Sequence, residues 1–202
     1  MMRWIYWTGW FLFRCAFRSL FGLRIKHADR LLTEGPVLVV SNHESFLDPP
    51  LIGTLYDDEM VFLARKTLFK GFCKWLYGEW NAVPVDQDKP DMSSLKTIIR
   101  KLKDGNRVLV FPEGARTLDG SLGPAQPGVG LIAAKAGVPI QPIRIRGARE
   151  ALPRGSGRVR LVRIEVSVGE PIDLHAEGFG NARDKEAYQK IADRLMAAIA
   201  EL

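Results

Sequence analysis

A histidine and an aspartate stand five residues apart in Asn42-His43-Glu44-Ser45-Phe46-Leu47-Asp48-Pro49. A carboxylate and a guanidinium follow in Phe111-Pro112-Glu113-Gly114-Ala115-Arg116. An aspartate that accepts the Nδ1–H of an imidazole leaves Nε2 free to take a proton. Such a base would activate a hydroxyl, which is a poor nucleophile until its proton leaves. A thioester suits that attack, because a thiolate departs without a strong acid. A positioned histidine contributes about 10²–10⁴-fold as general base. No covalent nucleophile is needed if both substrates bind together, and the chain has no G-x-S-x-G elbow.

The flanking residues must position this pair. Residues 37–41 are apolar and β-branched, which predicts a buried strand. Asp48 suits a helix N-cap and Pro49 the first helical position, where a missing N–H costs nothing. His43 then lies on a strand-to-helix loop that can fold back onto Asp48. A histidine after a strand is more often a packing residue, and an aspartate before Pro-Pro more often a simple cap, so the spacing alone does not decide. The second segment follows another predicted strand, 107–111, and Pro112-Glu113-Gly114 forces a turn. Open α/β sheets place ligands at such strand ends. Arg116 offers a planar fork suited to phosphate. The blander alternative is a local Glu113–Arg116 ion pair on a solvated loop.

Four blocks in order resemble the glycerolipid acyltransferases of the 1-acylglycerol-3-phosphate acyltransferase type. They are Asn42 to Pro49, with the His-x4-Asp pattern; Asn81-Ala82-Val83-Pro84-Val85-Asp86; Phe111 to Thr117; and Val138-Pro139-Ile140-Gln141-Pro142-Ile143. Gly169-Glu170-Pro171-Ile172 also looks familial. The resemblance implies His43 as general base and Asp48 as its orienting partner. It implies that Glu113, Gly114 and Arg116 bind the acceptor and its phosphate, and that Lys66 stabilises an oxyanion. Two positions depart from the pattern: Ala115 replaces a threonine, and Gln87 follows Asp86 where the family has an arginine of the acceptor-phosphate site. Acyl transfer to a lysolipid from an acyl-CoA or acyl carrier protein thioester is the expectation, with 1-acylglycerol-3-phosphate the leading acceptor. Gln87 keeps open another acceptor, such as an amino-acid-based lysolipid, and a non-catalytic lipid-binding relative.

At 202 residues the chain fits one domain. Strands are predicted at 37–41, 60–64, 107–111, 139–145 and 159–168. Helices are predicted at 49–56, 67–77, 92–103, 128–136 and 184–201. The alternation predicts an α/β single-domain sandwich with a mostly parallel sheet flanked by helices. Cys15 and Cys73 form no framework, which suits a reducing compartment. His27, His43 and His175 lie far apart and predict no metal site. Gly128-Val129-Gly130-Leu131-Ile132-Ala133 matches a dinucleotide fingerprint, but no strand directly precedes it, so the glycines read as close helix packing.

Residues 1–24 form a predicted membrane-contact segment ahead of the acyltransferase domain at 25–202. Trp4, Trp7, Trp10, Phe11, Phe13 and Phe17 crowd it, and Arg14 and Arg18 interrupt it. Its apolar run is too short to span a bilayer, which takes about 20 residues. A projection that gathers Arg3, Arg14 and Arg18 on one side predicts a helix lying in the interface on anionic lipid. That places the chain on the cytoplasmic face of the cell membrane, peripheral or monotopic. The alternative is a buried helix capping the domain. The net charge of +6 suits an anionic membrane or nucleic acid equally. No nucleic-acid recognition motif is present, and the aromatics gather away from the arginines of 144–163, so nucleic acid is not expected.

Overall fold

The computed structural model describes residues 3–85 and 92–202. Among these residues, seven strands form one sheet in the order β1-β7-β6-β2-β5-β3-β4. They are β1 (Arg24–Lys26), β2 (Leu38–Ser41), β3 (Met60–Arg65), β4 (Ala82–Val85), β5 (Arg107–Val110), β6 (Ile140–Arg146) and β7 (Glu165–Val168). All pairings are parallel except β6 with β7. The helices are α1 (Trp4–Ser19), α2 (Asp48–Gly53), α3 (Gly71–Glu79), α4 (Met92–Lys103), α5 (Pro127–Ala136), α6 (Ala148–Ala151) and α7 (Lys185–Ala200).

The strand period of two sorts side chains between two cores. Leu38 and Val40 of β2, with Val108 and Val110 of β5, meet Ile98, Leu102, Ile132, Ile191 and Leu195 of α4, α5 and α7. Val39 and Leu109 point the other way, onto Phe17, Leu51, Ile52 and Tyr56. The result is the expected α/β sandwich, a mostly parallel sheet flanked by helices. Gly130 belongs to the packing, as expected: a Cβ there would lie 1.9 Å from the Tyr188 carbonyl oxygen of α7.

Several boundaries differ from expectation. Of the predicted strand 159–168 only Glu165–Val168 forms, because Arg146, the last residue of β6, already pairs with Glu165. The predicted helix 67–77 divides into a 3₁₀ turn at Lys66–Leu68 and α3, which opens on Gly71 at φ +50. β1 and β4 were not foreseen. Both are edge strands, and β4 holds Pro84, whose missing N–H an edge tolerates.

The N-terminal helix packs on the domain. Tyr6, Phe17 and Phe21 are buried, Trp10 Nε1 donates to the Tyr56 carbonyl at 2.9 Å, and Met60 N donates to the Tyr6 hydroxyl at 2.9 Å. Two of the three arginines of the predicted face do not look outward. Arg3 donates to Asn81 and to the Gly78 carbonyl, and Arg14 pairs with Asp57 at 2.6 Å, so both face the domain; Arg18 is exposed. The outward stripe carries Trp4, Thr8, Phe11, Leu12 and Cys15, with Trp4 75% and Phe11 61% exposed. No helix among the described residues is long and apolar enough to cross a membrane.

Candidate active site

Three loops meet at the C-terminal ends of β2, β5 and β6. The β2 loop carries His43, and Asn42 fixes its base. The Asn42 amide donates to the Ile145 carbonyl at 2.9 Å and accepts from Ile145 N at 2.8 Å, tying the loop to β6. Asp48 is fully buried, and its Oδ2 accepts from His43 Nδ1 at 2.8 Å, Glu44 N at 2.6 Å and Ser45 N at 2.7 Å. It does not cap α2 from outside, as the sequence suggested. Leu47 holds the cap position, and Asp48 is the first helical residue, its carboxylate turned back into the loop. The imidazole stacks on Phe111 with 3.8 Å between ring centroids and 9° between planes. Position and tautomer are thereby set: Nδ1–H donates to Asp48, and Nε2 is left for a reacting proton.

The β5 loop braces this arrangement. Glu113 Oε1 accepts from His43 N at 3.0 Å, and Oε2 accepts from Gly123 N at 3.0 Å. Thr117 N donates to the His43 carbonyl at 2.8 Å. Glu113, expected on the acceptor, thus has both oxygens committed to backbone amides and holds the histidine's main chain. It makes no ion pair with Arg116. Gly114 supplies the turn at φ +73. Arg116 lies over the Phe46 ring, its Cζ 3.6 Å from the centroid.

A cleft of about 570 Å³ opens at His43. Its walls are mostly apolar: Tyr6, Trp10 and Phe13 of α1, Pro50 of α2, Phe62 of β3, and Tyr77 and Trp80 at the end of α3. Arg65, Arg116 and Arg154 supply its cationic groups. Lys66 is exposed on the 3₁₀ turn and does not line the cleft; its neighbour Arg65 does. Gln87 lies outside the described residues. The expected residues brought together are therefore His43, Asp48, Glu113, Gly114 and Arg116.

Sequence reasoning missed Glu44 and Arg154. Glu44 is buried beside Asp48, its Oε1 accepting from the Asn42 amide at 3.2 Å. Burial and, second, the Asp48 charge push its carboxyl up to about 7. Its place inside the His-x4-Asp segment was the available signal. Arg154 is separated from that segment by about half the chain, and no spacing rule reaches it.

The Acyltransferase family profile matches residues 22–146. The chain is 33% identical to the chloroplastic 1-acyl-sn-glycerol-3-phosphate acyltransferase BAT2 of Brassica napus, over 81% of this chain and 47% of that protein. It is 27% identical to the 1-acyl-sn-glycerol-3-phosphate acyltransferase of Bacillus subtilis (strain 168), over 90% of this chain and 88% of that one. It thus spans about half the length of the plant relative and most of the bacterial one. The crystal structure of PlsC, the 1-acyl-sn-glycerophosphate acyltransferase of Thermotoga maritima, superposes with a TM-score of 0.76 at 26% identity, covering 96% of this chain and 78% of that one. With its His-x4-Asp loop at the C-terminal edge of a largely parallel sheet, the chain belongs to the Acyltransferase family.

Proposed function

We propose that this protein transfers a fatty acyl group from a thioester to the hydroxyl of a lysolipid. The observation that carries this is the 2.8 Å His43–Asp48 pair at the mouth of an apolar cleft. The acyl chain lies in the cleft, and its thioester carbon reaches the His43 edge. As the acceptor hydroxyl attacks, His43 Nε2 takes its proton and Asp48 stabilises the imidazolium. Collapse of the tetrahedral intermediate breaks the carbon–sulfur bond, and the imidazolium returns the proton to the departing thiolate. The new ester and the free thiol balance the step.

1-Acylglycerol-3-phosphate is the acceptor that the names of the relatives favour, with coenzyme A or an acyl carrier protein bearing the donor chain. The outward stripe of α1 supports membrane contact. A helix that buries Tyr6 and Phe17 inward yet sets Trp4, Phe11 and Leu12 outward has apolar residues on both sides. Phe72 and Trp75 of α3, with 5.2 Å between ring centroids, add exposed aromatics on a helix whose Tyr77 lines the cleft. The outer neighbour is a lipid surface at the cytoplasmic face of the cell membrane. The test offers purified protein a labelled acyl thioester with a panel of lysolipids. Acylated product is expected from the unaltered protein and none from His43→Ala. Equal product from both would overturn the reading.

A further inference from the structure

We propose that Arg154 joins Arg116 in a two-guanidinium clamp that grips a phosphate monoester at the mouth of the cleft. The inference rests on the acyltransferase reading and assigns that site a headgroup contact from outside the shared sequence blocks. Arg154 follows α6 in the loop Leu152-Pro153-Arg154-Gly155. That loop is held in two ways. The Ser45 hydroxyl donates to the Leu152 carbonyl at 3.2 Å, and Arg160 N donates to the Ala151 carbonyl at 2.7 Å. Within it, Ser156 N donates to the Pro153 carbonyl at 3.1 Å, closing the turn around Arg154. Arg116 sits on the loop tied to the His43 carbonyl by Thr117 N. Both arginines thus sit on loops tied to the 43–45 segment, and both line the cleft that His43 lines.

Two cations so placed repel each other, and the protein offers them little relief. Among the described residues, neither guanidinium makes a hydrogen bond or an ion pair with any carboxylate; Arg116 rests on the Phe46 ring instead. Burial and, second, the charge of Arg154 lower the pKa of Arg116, and Asp48 only partly opposes them. A dianion between them would remove the repulsion and fill planar donor forks that are otherwise empty. A lysophosphatidate headgroup and the 3′-phosphate of coenzyme A are both phosphate monoesters, so both are tested. The clamp also answers the Gln87 substitution: a second charged contact comes from the loop after α6.

The test compares the full chain with Arg154→Ala, Arg154→Lys and, as an exposed control away from the cleft, Arg158→Ala. Acceptors are lysophosphatidate and monoacylglycerol of the same chain; donors are acyl-CoA and acyl-pantetheine. Arg154→Ala is expected to raise KM for lysophosphatidate about ten- to a hundredfold at little-changed kcat, and to leave monoacylglycerol unaffected. Arg154→Lys should recover part of that loss, as a point charge for a fork. A KM rise confined to acyl-CoA, and absent with acyl-pantetheine, assigns the gripped phosphate to the donor. Unchanged KM for both phosphorylated substrates overturns the clamp while leaving the acyltransferase reading intact. If the unaltered protein acylates nothing, that reading fails, and calorimetric binding of sn-glycerol 3-phosphate to the unaltered and Arg154→Ala proteins then decides the clamp: equal affinity, or no binding by either, overturns it.

Discussion

Asp48 does two jobs with one oxygen, and two substitutions separate them. Its Oδ2 holds His43 Nδ1 and also the main-chain amides of Glu44 and Ser45, all in a buried loop. Asp48→Asn keeps an acceptor oxygen at that point and removes the charge that stabilises the imidazolium. We expect kcat to fall about 10²–10⁴-fold, the range of a positioned general base, with the fold retained. Asp48→Ala removes the acceptor as well. Two buried amides lose their partner at about 1–3 kcal/mol each. At about 2–4 °C per kcal/mol for a chain of this size, Tm should fall by about 4–24 °C. Steady-state kcat at saturating donor and acceptor, with calorimetric melting of all three proteins, reads both quantities. Turnover of Asp48→Asn within a few-fold of the unaltered protein refutes the charge argument. An Asp48→Ala protein that melts with Asp48→Asn refutes the clamp on the loop.

Other expectations follow from neighbouring features. Glu44, raised from 4.5 to about 7, binds a proton in the folded state that the unfolded chain has released between those values. Stability from this group is complete below about pH 4.5 and is lost as pH rises through 7, by up to about 3 kcal/mol. Glu44→Gln should therefore gain stability over the unaltered protein at pH 8 and little at pH 4, and equal gains by chemical denaturation at both would contradict the assignment. Glu113→Gln keeps one carbonyl acceptor but loses the second, so it should lower kcat more than it raises acceptor KM; a pure KM effect would return Glu113 to the acceptor. Replacing Trp4, Phe11 and Leu12 by glutamine should weaken sedimentation with anionic vesicles while leaving Tm nearly unchanged, and undiminished co-sedimentation would remove α1 from the interface. Ala82→Phe narrows the cleft and should shift the preferred acyl chain to shorter lengths; an unchanged chain-length profile would move the acyl group elsewhere.

The central strands were legible because β2 and most of β5 are short apolar runs buried on both faces, and β6 intersperses Ile140, Ile143 and Ile145 with polar residues over its length. β4 was not, since an edge strand needs no such run and even keeps Pro84. The His43–Asp48 contact was legible because it is local, five residues within one loop. The direction of Glu113 was not: a carboxylate beside a ligand site can face the ligand or the loop, and only the folded path of 111–123 decides. The arginines of α1 show the same limit. Periodicity gives their angles around the helix but not which face docks, and Arg3 and Arg14 turned out to serve Gly78 and Asp57. Arg154 reaches the cleft through the sheet order, which places the end of β6 beside that of β2.

If α1 rests on lipid as proposed, the first helix is a partition between two oily compartments. Tyr6, Trp10 and Phe13 line the cleft on one side, while Trp4 and Phe11 face outward on the other. On that proposal, a fatty chain exchanging between bilayer and cleft would have one helix to round and little water to cross. The concentration governing turnover would then be the mole fraction of substrate in the lipid phase. Diluting vesicles into more buffer at constant composition should leave the rate per bound enzyme unchanged, whereas diluting the substrate with inert lipid should lower it.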